Sequence, residues 1–426
     1  MIASLEYYKQ NYKNIYFVNL LLIAALLPFT NYFSVQFTNI ALILLFISWL
    51  FLYSKEGLKE LKFKKVIILF LAVYLLCFLN FLKGGDFSVV EKVLVKRIPL
   101  LIFPLVIGLS PKIQRKNLNA VLITFVISTI AASVVTYFRG VSSFVITPEA
   151  LTDLAFKVII HRPYFGLFCA FGILALLFLL HKKINIFLNL LIIVSAAYLL
   201  FFIVFIYAKM ALVGLFVTAA FLVLLALIYR KYYTYLMILV VTCIVSFVML
   251  YHVNAKVQRY TQSAIINTQN IIQGKGFSYE KYNILIVGSI NVRYINWGCA
   301  FTILKANYQW VSGVGAGNAQ KNLQNCYKDR NTWVYDNRMN AHNQFIQETL
   351  YTGIFGLLLF LSSLLVPGVM AYKKNNFLFI AFILIFIFCS LTENILERQI
   401  GIFFYAFFNS LLFFNSGQRD STNIVS

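Results

Sequence analysis

One histidine stands among residues that could make it a base. Ala341-His342-Asn343-Gln344-Phe345 runs on into Glu348-Thr349-Leu350-Tyr351-Thr352-Gly353-Ile354-Phe355-Gly356. An imidazole is the side chain whose ordinary pKa, about 6.5, suits proton transfer near neutral pH. Cations recur at the ends of apolar segments: Lys96 and Arg97, Arg139, Arg162 in His161-Arg162-Pro163-Tyr164, Lys209, and Arg293 in Asn291-Val292-Arg293-Tyr294-Ile295-Asn296-Trp297. Snorkelling to the surface accounts for Arg139 and Lys96 without any function. It does not account for Lys209, because an ammonium in an apolar stretch is costly and usually faces a cavity or a partner. Several cations beside one histidine, with no metal-site spacing, suit the departure of a pyrophosphate. Guanidinium groups stabilise its growing charge by paired hydrogen bonds, and the imidazole takes the proton of an attacking hydroxyl.

Other local signals are weaker. Gly313-Val314-Gly315-Ala316-Gly317-Asn318 follows no clear strand and lacks the Lys-Ser/Thr of a phosphate-binding loop, so it reads as a flexible turn. Glu393-Asn394-Ile395-Leu396-Glu397-Arg398-Gln399-Ile400-Gly401 reads as a turn whose Glu393, Glu397 and Arg398 pair with each other or with the cations above. Cys299 and Cys326 could pair if they lie in an oxidising compartment.

The elements that must position these groups are membrane helices. Of 426 residues, 61% are hydrophobic and 12% charged, about half the charge of a soluble domain. The apolar residues come in long blocks that match a hydrocarbon core about 30 Å thick, and the short alternating strands of a barrel are absent. Helices are expected near 15–32, 35–53, 66–82, 98–110, 118–138, 163–180, 185–207, 210–229, 234–253, 346–371, 377–392 and 400–415, which makes about twelve crossings. The net charge of +22 does not form a nucleic-acid-binding domain. Much of it is short clusters between apolar blocks: Lys55, Lys59, Lys62, Lys64 and Lys65; Lys112, Arg115 and Lys116; Lys182 and Lys183; Arg230 and Lys231; Lys373 and Lys374. Twelve crossings put all of these on the cytoplasmic side with both termini. Residues 1–254 then hold nine crossings, 255–345 a large outer loop, 346–415 three more crossings, and 416–426 a disordered cytoplasmic tail. The loop is too long for the positive-inside rule to explain its excess of Lys and Arg, and attraction for an anionic ligand competes with a merely soluble surface.

In motif order the chain resembles the O-antigen ligase and polymerase superfamily. The matching pieces are Arg293…Trp297, then Gly313 to Asn318, then His342-Asn343-Gln344-Phe345 with Gly353-Ile354-Phe355-Gly356, then Glu393…Arg398…Gly401, in the style of the superfamily's Bacteroidetes members. The resemblance implies an all-α polytopic membrane protein like the C-type glycosyltransferases. It implies metal-independent, inverting transfer of a glycan from undecaprenyl pyrophosphate to lipid A-core, at the periplasmic face of a bacterial inner membrane and without a cofactor. His342 would be the base. Arg293, Arg162, Lys209 and Arg97 would engage the pyrophosphate, and Asn343, Glu393 and Arg398 would support them. Many members carry Ser-Arg where this chain has Ala208-Lys209, and a lysine keeps the charge but loses the planar fork. A polymerase joining two lipid-linked glycans, or a protein-directed glycosyltransferase, would use the same chemistry on another acceptor. A transporter of lipid-linked glycans would explain the helix count but predicts internal repeats, of which there are few signs.

Overall fold

The computed structural model describes residues 2–30, 35–52, 65–142, 161–180, 185–229, 289–328 and 332–415, with three single positions between 262 and 269. The expected helix at 234–253, the tail 416–426, most of 255–288, and the clusters at Lys55 to Lys64, Lys182–Lys183 and Arg230–Lys231 lie outside the described residues.

Every described element is helical. The first half contains α1 (Ile2–Leu26), α2 (Gln36–Leu52), α3 (Lys65–Leu75, extended by a 3-10 turn to Lys83), α4 (Phe87–Arg97), α5 (Pro99–Gly108), α6 (Arg115–Ser142), α7 (Arg162–Leu179), α8 (Ile186–Phe205) and α9 (Lys209–Tyr229). The second half contains α10 (Ser289–Lys305), α11 (Gln309–Ser312), α12 (Ala316–Lys328), α13 (Thr332–Asp336), α14 (Gln344–Lys373), α15 (Phe377–Ser390) and α16 (Gln399–Phe414). Segments within α6, α7, α8, α9 and α14 are long and apolar enough to cross a membrane, and shorter apolar helices lie at α1, α2, α3, α15 and α16. The segment expected at 98–110 is different. α5 has only 10 residues, or about 15 Å, so by itself it reaches halfway through a bilayer.

The main core is apolar and rich in phenylalanine. Phe404 and Phe408 of α16 meet Phe168 (4.7 Å between ring centroids) and Phe171 (4.6 Å) of α7, and Phe125 of α6 lies 4.8 Å from Phe408. Small residues let backbones approach, as membrane packing requires: a Cβ on Gly166 would fall 2.4 Å from that of Ala208.

Charge divides the bundle into two ends. Asn415 Oδ1 accepts the Ile113 N–H, and Asn376 Nδ2 donates to the Leu412 carbonyl. These bonds gather the segments that carry Lys112, Arg115, Lys116, Lys373 and Lys374. The starts of α7, α14 and α16 meet at the other end.

The described part of the expected outer loop is a helical layer rather than irregular chain. α10, α12 and α4 share a second apolar core that includes Val292, Ile295, Leu323, Val90 and Leu94. A disulfide joins Cys299 of α10 to Cys326 of α12. The Gly313 to Asn318 segment is a packed turn, not the flexible one expected. α14 is broken at Gly353 (φ +72°, ψ −164°), and the Val314 N–H donates to the Leu350 carbonyl at 2.7 Å, a group the break has freed. Gly313 and Gly353 face each other so closely that a Cβ on Gly353 would lie 2.2 Å from the Val311 carbonyl oxygen. Positive φ and close approach together require glycine here.

Gly353→Ala should therefore lower the thermal midpoint of the protein in detergent or nanodiscs by several degrees. Gly368→Ala, in the same helix with nothing within 4 Å of the added carbon, should leave it unchanged or raise it slightly, since alanine favours helix by about 1 kcal/mol. Thermal unfolding of the two variants side by side checks the difference.

Candidate functional site

The site is made where the start of α14 is strapped to the turn 391–398. Asn343 caps α14, its Oδ1 accepting the Phe345 and Ile346 N–H groups at 3.0 and 3.1 Å. Its Nδ2 donates to the Leu391 carbonyl at 2.9 Å. The next residue, Gln344, accepts the Leu396 N–H on its Oε1 at 2.7 Å, and one helical turn along Gln347 Oε1 accepts from Asn394 Nδ2 at 2.9 Å. The same turn is held from α7 by the Tyr164 hydroxyl, which donates to the Asn394 carbonyl at 2.8 Å, and from α10 by Arg293 Nε, which donates to the Thr392 carbonyl at 3.0 Å.

His342 lies in a left-handed backbone conformation (φ +46°) just before the cap. Its Nδ1 is 3.3 Å from Glu393 Oε2, and its Nε2 is 3.3 Å from Met339 Sδ. A carboxylate at Nδ1 fixes the tautomer with the proton there, and a thioether is a weak partner that leaves Nε2 available. Glu393 is buried, which alone would raise its carboxyl. The hydrogen bond and charge of His342, with His161 and Arg293, hold it below its ordinary value. His161, at the start of α7, is pushed down to about 4, first by burial and then by Arg398, His342 and Arg162, against Glu393. Burial likewise lowers Arg293, with Glu393 opposing.

His342, Glu393, Arg293, Arg162 and Arg398 are thus brought within electrostatic reach of one another, around a histidine, His161, not expected as a site residue. Guanidinium groups and an imidazole–carboxylate pair stand together in one cluster. Such an arrangement can bind an anion and remove a proton beside it. Among the described residues, no group of three or more His, Cys, Asp or Glu side chains could hold a metal ion.

Two expected pyrophosphate ligands are placed elsewhere. Arg97 ends α4 and is buried. Its Nη1 and Nη2 donate to both Glu348 oxygens at 3.1 and 2.6 Å, Nη2 also donates to Glu397 Oε1 at 3.0 Å, and the guanidinium lies over the Tyr351 ring at 5.4 Å. The Tyr351 hydroxyl donates to the other Glu397 oxygen at 2.9 Å. Burial lifts the Glu397 carboxyl above its ordinary value against the pull of Arg97, and Glu348 adds to the rise. With its fork filled by protein carboxylates, Arg97 clasps the site from behind and does not face a ligand. Lys209 is not buried in an apolar span: it opens α9 after a left-handed Tyr207 and is exposed. The Gly166–Ala208 contact keeps it at the site's end of the bundle, one helical turn from Arg162. Nor do Glu393, Glu397 and Arg398 pair chiefly among themselves, because the acids serve His342 and Arg97. The pairing of Glu397 with one of the cations is as expected; Glu348, Gln344 and Gln347 were missed, although they stand at the i, i+3, i+4 spacing that shares one helix face.

Residues 194–361 match the protein-family model described as O-Antigen ligase. Over that stretch the chain is similar to the O-antigen ligase family. The family segment runs from α8 into α14 and contains Lys209, Arg293, His342 and Asn343; Arg97, Arg162, Glu393 and Arg398 lie outside it. No curated protein is matched by this chain.

Arg97→Ala leaves two acids buried without their cation and should cost about 3–5 kcal/mol of stability. Glu397→Gln removes one of two negative charges crowded on one guanidinium and should cost much less. Equilibrium or thermal unfolding in detergent measures both.

Proposed function

We propose that the protein is a glycosyltransferase of the polysaccharide-ligase type. It moves a glycan from undecaprenyl pyrophosphate to a hydroxyl of lipid A-core at the periplasmic face of the bacterial inner membrane. The observation that carries this reading is the His342–Glu393 pair set beside Arg293, Arg162 and Arg398 in a chain with the family segment. The Cys299–Cys326 disulfide supports an outer-face position for the layer next to the site, since such bonds persist in oxidising compartments. The basic clusters at the opposite end of the bundle suit a cytoplasmic face.

In the reaction, Nε2 of His342 takes the proton of the acceptor hydroxyl as its oxygen attacks the anomeric carbon. Glu393 holds the imidazole in position and stabilises the charge it acquires. The bond from the anomeric carbon to the phosphate oxygen breaks, its electron pair leaves with the pyrophosphate, and the arginines meet that charge. Attack opposite the leaving group inverts the anomeric centre. Asn343 keeps the turn and the helix start in register, and Arg97 does so through Glu348 and Glu397.

Purified protein in lipid, supplied with a pyrophosphate-linked donor and lipid A-core, tests this. His342→Ala should lower kcat by about 100-fold or more, while Glu393→Gln should lower kcat with little change in KM for the donor. Full activity in His342→Ala would sink the assignment. A product still on undecaprenyl, lengthened by further repeats, would make the enzyme a polymerase.

A further inference from the structure

His161 has a buried nitrogen with nothing to bond to. Its Nδ1 is shut off from solvent and lacks a hydrogen-bond partner among the described residues. The residue sits at the N-cap of α7, where a side chain ordinarily caps the helix, yet its imidazole makes no capping bond. Instead the ring lies edge-on to Tyr164, 5.3 Å between centroids. An orphaned buried polar atom is destabilising, so such atoms in native proteins call for an explanation.

We propose that His161 is a direct ligand of the donor's pyrophosphate, and that its Nδ1 finds its partner only when that lipid is bound. The inference rests on the donor chemistry above. Arg162 follows His161 directly, and Arg398, Glu393 and His342 act on it electrostatically. The α7 N-terminus adds the positive end of an 18-residue helix. Burial keeps the imidazole uncharged. A phosphate oxygen only accepts, so the tautomer that binds it carries its proton on Nδ1. The negative charge of the ligand then favours a second proton on the ring. At the moment of transfer, His161 donates a hydrogen bond to the oxygen that takes the electron pair of the breaking bond.

The test is binding of undecaprenyl pyrophosphate, without sugar, to the full chain in nanodiscs. His161→Phe keeps the ring against Tyr164 but has no donor, and it should weaken binding by about 10-fold or more, as expected for a hydrogen bond to a charged group. His161→Asn places an amide near the position of Nδ1 and should restore most of the affinity; His161→Gln, whose amide reaches the position of Nε2, should not. Undecaprenyl monophosphate should bind more weakly and discriminate less among the variants. Tight wild-type binding with equal affinity in His161→Phe overturns this inference and leaves the proposed function standing. No wild-type binding at all overturns the donor assignment itself.

Discussion

A carboxylate taken out of water needs a cation or several hydrogen bonds, and the cost of leaving it bare is several kcal/mol. In this protein that requirement joins segments far apart in the chain. Glu348 and Glu397 share the single guanidinium of Arg97, across sequence separations of 251 and 300 residues. Arg97 cannot leave without stranding two acids, and neither acid can leave without loosening the turn 391–398 from the start of α14. Glu393 stands four residues before Glu397 on that turn, and His342 stands six residues before Glu348. The 3.3 Å contact between His342 and Glu393 therefore depends on an ion cluster that never meets substrate.

The break at Gly353 allows one helix to do two jobs. A straight α14 would carry Glu348 and Tyr351 along the same axis as the apolar run behind them. With the chain turned at Gly353, the first nine residues lie against α4 and the closing turn, while 354–373 continue as bundle helix. Breaking a helix frees carbonyls that lipid cannot satisfy. Val314 answers one of them through its backbone N–H, and Gly313 allows the approach. The Gly-rich segment expected as a flexible turn is thus a plug for a broken helix, tied by α12 and the disulfide to the layer that carries Arg293.

The apolar blocks made most of the bundle legible, because block length against bilayer thickness is a strong signal. The motif around His342 was equally open to reading, since residue type and position beside a long apolar run announce it. What stayed hidden was pairing. An arginine next to an apolar segment shows that it needs a partner but not which one, so Arg97 looked the same as Arg162. Lys209 misled for a related reason: the break between the helices expected at 185–207 and 210–229 is legible, but not that the left-handed Tyr207 turns the chain so that the lysine is exposed. α5 was taken for a full crossing because composition does not reveal that its regular part ends after 10 residues.

The two groups of arginines have opposite surroundings, and the difference decides what each can do. Arg97 has two acids within hydrogen-bonding distance, so its region carries excess negative charge and has nothing to offer an anion. Arg162, Arg293 and Arg398 lie around one acid, Glu393, whose charge is also drawn on by His342. Burial makes positive charge expensive, as the lowered Arg293 shows, and burial also keeps His161 from adding to it. A site of this kind suits an anion. The same desolvation that weakens its cations strengthens their grip on phosphate oxygens once water is gone. The two acids that fill its fork make Arg97 part of the framework, which residue type alone does not reveal.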